Sequence, residues 1–220
     1  MTSAADRRTR IIEAIASAAL LAKRDPEEVE LIAVSKGRGA EEVEPLIEAG
    51  QRDFGESRVQ EALSKWPALL ARYPDVRLHG IGRLQSNKAD EAVRLFDTVH
   101  SVDRISLLQA LVAAAGKAGR QPAVYVQVNI GEEEQKGGVG IADLTELVMA
   151  VRSSPLPLAG LMCIPPLDLE PGPFFSLLNK LARRHDVTGL SMGMSADYRQ
   201  AVMLGATAVR VGTALFEDDA

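Results

Sequence analysis

A lysine at the end of an apolar run is the first residue of this sequence that could do chemistry. The run LIAVSK, residues 31–36, is typical of a buried β-strand and ends on Lys36. Lysine is seldom fully buried, because removing its ammonium group from water is expensive. Either the Lys36 side chain extends into water, or its partly desolvated amine acts as a nucleophile, usually in Schiff-base formation with an aldehyde. Residue type alone leaves both interpretations open.

Two short turns near the end of the sequence are rich in small residues that suit an anion. Their members are Ser191, Gly193 and Ser195 in the stretch SMGMSAD, and Gly212 and Thr213 in the stretch RVGTALF. The hydroxyl groups can donate hydrogen bonds, and the glycines let the backbone approach a ligand closely. A helix is predicted after the first turn, and a helix N-terminus favours anions. Together the two turns predict a phosphate-binding site.

An arginine in the last apolar run adds a third candidate group. Arg210 lies between Val209 and Val211, so one interpretation buries its guanidinium, which must then find an acceptor. The other interpretation is an ion pair with an acidic residue of a neighbouring strand. An imine-forming lysine, a phosphate site and an arginine that requires an acceptor together describe a site for pyridoxal 5′-phosphate. That molecule is an aldehyde that carries a phosphate and a ring nitrogen.

Apolar strand patterns and helical patterns alternate along the whole chain, and this alternation must position the candidate residues. We count eight strands, seven intervening helices and one leading helix over about residues 4–24. Strict alternation is typical of a parallel sheet covered by helices, and eight units close into a (β/α)8 TIM barrel. The leading helix is expected to fill the place left open after strand eight. A flavodoxin-like or Rossmann sheet fits less well, since no G-x-G-x-x-G motif follows the first strand.

The barrel interpretation brings the candidate residues to one face. Active sites of this fold lie at the carboxyl ends of the strands, and the loops after strands seven and eight commonly hold phosphate. Lys36 is expected at the last position of strand one, on the same face. Two longer connections, residues 131–140 and 165–173, follow strands five and six and are either lids or ordinary surface loops. The chain, residues 1–220, is expected to form one domain.

Composition excludes several classes of function. A net charge of −5 argues against broad binding of nucleic acid or of an anionic membrane, since both need a positive field. No apolar run approaches the length of a membrane span. The single cysteine, Cys163, indicates a reducing cytoplasm. No metal site is expected, because His79, His100 and His185 are scattered through the sequence without paired spacing.

Seven stretches also resemble a known family, the pyridoxal phosphate homeostasis proteins. They cover nearly the whole chain and are AVSK, AGQRDFGESRVQE, HGIGRLQSNK, QVNIGEEEQKGGV, GLMCIPP, LSMGMSADY and VRVGTALF. The resemblance implies a single-domain fold-type III barrel that holds pyridoxal phosphate as a Schiff base on Lys36. It also implies phosphate contacts from Ser195, Gly212 and Thr213, and it sets Arg210 opposite the pyridine nitrogen.

Two further residues keep the family pattern and three depart from it. Asn129 and Lys136 match, and they are expected either to line the mouth of the barrel or to be solvated loop residues. Ser57 stands where the family usually has Asn, Gly80 where it has an aromatic residue, and Arg83 where it has a histidine. These departures concern the rim of the site.

An arginine opposite the ring nitrogen should keep that nitrogen unprotonated, because a fixed cation disfavours a second positive charge. Such a ring is a poor electron sink. We therefore expect a non-catalytic, monomeric carrier of the cofactor, with apo-enzymes as partners, rather than an enzyme. The first alternative is a racemase-like enzyme; alanine racemases add a β domain, for which a chain ending at Ala220 leaves no room. The second is a phosphate-binding barrel without cofactor.

Overall fold

Eight parallel strands close into a barrel in the computed structural model, which describes residues 2–217. The strands are β1 (Glu30–Val34), β2 (Asp53–Glu56), β3 (Arg77–Gly80), β4 (Thr98–Val102), β5 (Ala123–Gln127), β6 (Leu158–Met162), β7 (Gly189–Met194) and β8 (Ala208–Val211). Each strand pairs with the next along the chain, and β8 pairs with β1, where Ile32 and Arg210 are register partners. The predicted (β/α)8 barrel is confirmed.

Helices cover the outside of the barrel. They are α1 (Ala4–Leu21), α2 (Ala40–Glu48), α3 (Val59–Arg72), α4 (Ala89–Leu95), α5 (Ile105–Ala118), α6 (Leu144–Arg152), α7 (Gly172–Arg184), α8 (Tyr198–Met203) and α9 (Thr213–Phe216). Within residues 2–217, no helix is both long enough and apolar enough to cross a membrane.

The leading helix takes the place predicted for it. Helix α1 begins with a capping box, in which the Ser3 hydroxyl accepts the Asp6 N–H at 3.1 Å and the Asp6 carboxylate accepts the Ser3 N–H at 3.2 Å. Its buried residues Ile11, Ile15, Ala18 and Ala19 have the spacing of one helical face. The helix packs against α8, α9 and α2 and so closes the outer ring beside β8 and β1.

Two strand ends differ from the sequence prediction. Strand β1 ends at Val34, so Lys36 lies in the following turn rather than at the last strand position. The last apolar run also divides, because the backbone leaves the sheet at Gly212 and residues Thr213–Phe216 form α9. Both corrections place candidate residues in turns above the carboxyl ends of the strands, where side chains and backbone groups can face a ligand.

The interior of the barrel is unusually polar. Barrel interiors are usually filled by branched apolar side chains. Here Asp53, His79, His100, Ser191 and Arg210 are buried, and each lies within hydrogen-bond distance of the next. Side chains alternate between the two faces of a strand, so inward positions recur every second residue. A row of polar and ionisable groups therefore runs through the barrel interior beside buried apolar residues such as Ile32.

Candidate functional site

Lys36 lies exposed in the turn at the carboxyl end of β1. Within residues 2–217, no hydrogen bond or ion pair engages its ammonium group. The turn opens beside the β8–α9 connection, since a Cβ atom built on Gly212 would lie 3.4 Å from Cβ of Val34. The partial burial expected from the sequence is not observed, because the strand stops two residues before the lysine. Lys36 therefore presents an unengaged amine at the mouth of the barrel.

A second lysine, on α3, fixes the turn that carries Lys36. The ammonium of Lys65 donates to the carbonyl oxygen of Ser35 at 2.7 Å and to that of Arg38 at 3.0 Å. It also forms an ion pair with the Glu56 carboxylate at 2.6 Å, where the side chains of Lys65 and Glu56 are 7% and 0% exposed. These three contacts use all three donors of the ammonium group and hold the backbone on both sides of Lys36.

The Glu56 carboxylate is the anchor of this arrangement. Its Oε1 atom also accepts the Ser35 hydroxyl at 2.7 Å and the Trp66 indole N–H at 2.8 Å. These hydrogen bonds and the paired cation offset the free-energy cost of burying the Glu56 charge. The sequence prediction did not include Lys65, Glu56 or Trp66, although the stretch AGQRDFGESRVQE contains the carboxylate.

The predicted anion turns meet at Ser195 and Gly212. The Gly212 N–H donates to the Ser195 hydroxyl oxygen at 3.2 Å and so joins the connection after β7 to the connection after β8. Thr213 is exposed at the first position of α9. Helices α8 and α9 are only 6 and 4 residues long, so the expected help from a helix N-terminus is small. An anion at this turn would therefore bind to hydroxyl groups and backbone N–H groups.

Gly193 shapes the same turn. Its backbone has φ +93°, a conformation that favours glycine, and a Cβ atom there would lie 2.5 Å from Cβ of Ala201 and 3.0 Å from Cα of Tyr198. The glycine therefore lets α8 pack closely behind the turn. Its role is to shape the backbone around Ser195.

The Arg210 guanidinium is buried with neutral partners. It is 4% exposed, and it donates to the Ser191 hydroxyl at 2.6 Å and to the Cys163 carbonyl at 3.0 Å. No carboxylate within residues 2–217 forms an ion pair with it, so the ion-pair interpretation of the sequence is wrong. Burial lowers the pKa of the Arg210 guanidinium below its usual value. A buried cation here thus lacks a neutralising anion in contact.

Ser191 and Asn129 lie elsewhere than the sequence predicted. The Ser191 hydroxyl is buried in the barrel interior, where it binds Arg210 and His100 instead of lining the anion turn. The Asn129 amide closes its own loop, because its Nδ2 donates to the Glu133 carbonyl at 2.9 Å and its Oδ1 accepts the Glu133 N–H at 3.1 Å. Both ends of the Asn129 side chain therefore contribute to the fold of its own loop.

The two long loops touch each other at Lys136. Its ammonium donates to the Pro165 carbonyl at 3.2 Å and pairs with Glu133 at 2.6 Å. A Cβ atom on Gly131 would lie 2.5 Å from Cγ of Pro166, which shows how closely the loops approach. The two loops therefore form one continuous rim on the β5 and β6 side of the mouth.

Two histidines that look scattered in the sequence are neighbours in the structure. Nδ1 of His79 lies 3.0 Å from Nε2 of His100, and Nε2 of His79 lies 3.1 Å from Asp53. Both histidines are inward-facing residues of adjacent strands, so strand alternation was the signal that could have paired them. His79 and His100 are therefore in contact, although their separation in the sequence predicted that they are scattered.

A group of potential metal ligands lies at the opposite end of the barrel. One ligand atom each from Glu30, Asp53 and His79 lie within 4.8 Å of one another. The Arg77 guanidinium binds both carboxylates, at 2.8 Å from Glu30 and 2.7 Å from Asp53. Arg77 thus supplies positive charge at the point where a cation would bind.

The departure at Gly80 has a structural counterpart. A Cβ atom there would lie 2.8 Å from the ring of Phe96, so Phe96 fills the space next to this position. A Cβ atom on Gly82 would lie 2.1 Å from the Ser57 carbonyl oxygen, which packs these two segments tightly. The rim beside β2 and β3 is therefore filled by the protein itself.

Comparison with known proteins places this geometry in a family. The family model described as the alanine racemase N-terminal domain matches residues 13–219. The pyridoxal phosphate homeostasis protein of Synechocystis sp. is 41% identical over 203 residues, covering 88% of this chain and 93% of the relative. The protein of the same name from Escherichia coli K12 is 35% identical, covering 98% of this chain and 97% of the relative.

Solved structures agree with this assignment. PipY of Synechococcus elongatus PCC7942, solved without PLP, is 42% identical and superposes with a TM-score of 0.84 over 94% of this chain and 100% of that chain. The same protein with PLP bound gives a TM-score of 0.81 over 92% of this chain and 100% of that chain. The chain described here belongs to the alanine racemase N-terminal domain family and, within it, to the pyridoxal phosphate homeostasis proteins.

Proposed function

We propose that this protein binds pyridoxal 5′-phosphate through Lys36 and serves in the homeostasis of that cofactor without turning over amino acids. The observation that carries the proposal is the buried guanidinium of Arg210, which lies two residues before the Gly212 turn and has no carboxylate partner within residues 2–217. A buried guanidinium with no anion in contact can donate a hydrogen bond to an uncharged acceptor atom of a ligand. The PLP-bound structure of a 42% identical relative supports the same ligand.

The residues present fit this cofactor at three points. Bound pyridoxal phosphate supplies an aldehyde that condenses reversibly with a primary amine, with loss of water. Lys36 offers an amine at the mouth that is engaged by no other residue within 2–217. Ser195, Gly212 and Thr213 offer hydroxyl and backbone groups to the phosphate. Arg210 would offer N–H donors to the ring nitrogen.

Arg210 also favours storage over turnover. A fixed guanidinium next to a pyridine nitrogen disfavours its protonation, and an unprotonated ring is a weak electron sink. Amino-acid chemistry on this cofactor depends on that sink. The names of the curated relatives also refer to homeostasis rather than to a reaction. We therefore place a carrier role above a racemase-like activity.

The proposed role also implies partners, an oligomeric state and a cellular compartment. We propose that apo-enzymes that use the cofactor receive it from this protein, that residues 1–220 act as one monomeric unit, and that the compartment is the cytoplasm. A single, buried cysteine, Cys163, suits a reducing compartment. A net charge of −5 suits a protein that meets other soluble proteins rather than anionic membranes.

A spectroscopic titration tests the proposal. Pyridoxal phosphate is added to the purified full chain, and the imine absorption band is followed to saturation. The wild type should saturate at about one equivalent, Lys36→Ala should give no saturable band, and Lys88→Ala on the surface should match the wild type. A saturable band in Lys36→Ala would overturn the assignment of the lysine. Racemisation of any member of a panel of L- and D-amino acids, with the cofactor retained, would overturn the carrier role.

A further inference from the structure

Five side chains form a continuous hydrogen-bonded row through the barrel interior. Arg210 lies 2.6 Å from the Ser191 hydroxyl, which lies 2.9 Å from Nδ1 of His100. The row continues at 3.0 Å from His100 to His79 and at 3.1 Å from His79 to Asp53. It therefore joins the residue assigned to the cofactor ring with a carboxylate at the opposite end of the barrel.

The two ends of the row determine the direction of every hydrogen bond in it. Guanidinium can only donate, so the Ser191 oxygen accepts from Arg210. At the other end the Asp53 carboxylate can only accept, and with neutral imidazoles between these ends the Ser191 proton goes to Nδ1 of His100. With Nδ1 accepting, a neutral His100 carries its proton on Nε2 and donates it to Nδ1 of His79.

The last step follows from the same rule. With its Nδ1 accepting, a neutral His79 carries its proton on Nε2 and donates it to the Asp53 carboxylate, which can only accept. In this arrangement every link of the row pairs one donor with one acceptor. Each group thus donates toward Asp53 and accepts from the side of Arg210.

The charge states of the row agree with this direction. Burial, with the nearby charge of Arg210, lowers the pKa of the His100 imidazole well below 6.5, so the ring is neutral. Burial raises the pKa of the Asp53 carboxyl, but hydrogen bonds from His79 and Arg77 outweigh it and leave the pKa below 3.8. Tyr125 stacks on His100 with ring centroids 4.4 Å apart, which fixes the plane of the imidazole.

We propose that Ser191, His100 and His79 are positioning residues that connect Arg210 to the charge of Asp53 and hold the guanidinium against the cofactor ring. The inference rests on the proposed function, because it takes Arg210 as the residue that faces the ring nitrogen. Aligned hydrogen bonds in a medium of low dielectric polarise one another, so the row stabilises a cation at one end and an anion at the other. A carboxylate in direct contact would instead draw the guanidinium away from the ring.

The first test needs no cofactor. The imidazole nitrogens of ¹⁵N-histidine-labelled full-length protein are observed by NMR between pH 6 and 8. His100 should be neutral and protonated on Nε2, and Nε2 of His79 should carry the proton that it donates to Asp53. The signals are assigned with His185→Gln and His79→Gln. A His100 ring that is protonated on Nδ1, or that is cationic in this range, would overturn the inference.

The second test cuts the row beside Arg210. Ser191→Ala should weaken pyridoxal phosphate binding by about tenfold, the usual effect of removing one hydrogen bond to a buried charge, and Ser191→Thr should restore it to within about threefold. With ring-¹⁵N cofactor, the wild type should show an unprotonated pyridine nitrogen, and Ser191→Ala should show increased protonation. Asp53→Asn, which keeps an acceptor but loses the charge, should give an intermediate result.

The two hypotheses fail in different ways. A wild-type protein that takes up no cofactor would overturn the proposed function and, with it, the role of the row toward a ring. A wild type that binds the cofactor while Ser191→Ala and Asp53→Asn change neither the affinity nor the ring-nitrogen shift would overturn the inference alone. His185→Gln is the matched control and should change the affinity by less than about twofold.

Discussion

The ammonium of Lys65 lies 2.7 Å from the carbonyl oxygen of Ser35, the residue directly before Lys36. The turn that carries the proposed cofactor lysine is therefore held by a second lysine. Lys65 also pairs with Glu56 in the protein interior, so the position of the Lys36 turn depends on a buried ion pair.

Removing the Lys65 charge should destabilise the protein strongly. Lys65→Met keeps the aliphatic length but leaves the Glu56 carboxylate buried and unpaired, which costs about 3–5 kcal/mol. The free energy of unfolding, measured by urea denaturation, should fall by that amount. Lys88→Met is the control, because its ion pair with Glu91 is partly exposed and should contribute less than about 1 kcal/mol. Equal losses in the two variants would contradict the assigned role of Lys65.

Ser195 should contribute to the binding of phosphate and not to that of the ring. Ser195→Ala removes a hydroxyl that also orders the Gly212 N–H, so the dissociation constant for pyridoxal phosphate should rise about tenfold. Pyridoxal, which lacks the phosphate, should bind the wild type and the variant equally. Affinities are measured by absorbance titration of both ligands. A similar loss for both ligands would show that Ser195 does not act through the phosphate.

The conformation of Gly193 should make it intolerant of a side chain. Gly193→Ala combines a positive φ with a contact of 2.5 Å to Ala201, and these should lower the free energy of unfolding by about 2–4 kcal/mol. Gly116→Ala is the matched control in an exposed part of α5 with open space around it, and it should raise that free energy by up to about 1 kcal/mol. Thermal or urea unfolding distinguishes these opposite signs.

His100 should make stability depend on pH just below neutrality. Its pKa is lowered well below 6.5 in the folded state, so the unfolded chain binds a proton that the folded chain does not. The stability is therefore complete above about pH 6.5 and is lost as the pH falls, by up to about 1.4 kcal/mol per pH unit. Urea unfolding between pH 7 and 5 should show this slope in the wild type and in His185→Gln. An unchanged slope in His100→Gln would contradict the assignment.

The barrel architecture was predictable because strand and helix patterns alternate regularly along the sequence. Eight apolar runs separated by helical patterns fixed a parallel barrel, and the leading helix α1 occupies the predicted place between its neighbours. The ends of elements were less predictable. Ser35 and Lys36 follow Val34 without a turn signal between them and the strand, and Ala214, Leu215 and Phe216 continue the apolar run past Val211. Composition alone therefore did not reveal where β1 stops or where α9 replaces a strand.

The candidate site was predictable where chain position alone determines location, and not where side-chain contacts decide. Lys36, Ser195 and Gly212 follow strands and lie at the predicted end of the barrel. Ser191 and Asn129 also lie near strand ends, yet their polar groups are used by partners that no local pattern identifies. The pairing of residues 79 and 100 depends on the register of two adjacent strands, which became known only with the fold.

The central claim is that Lys36 is the residue that holds pyridoxal phosphate, and chemical trapping tests it most directly. The full-length protein is loaded with the cofactor, reduced with borohydride, digested and mapped by mass spectrometry. We expect one stoichiometric adduct on the peptide that contains Lys36, and its loss in Lys36→Ala. Adducts spread over surface lysines, or a stoichiometric adduct on another lysine, would contradict the account.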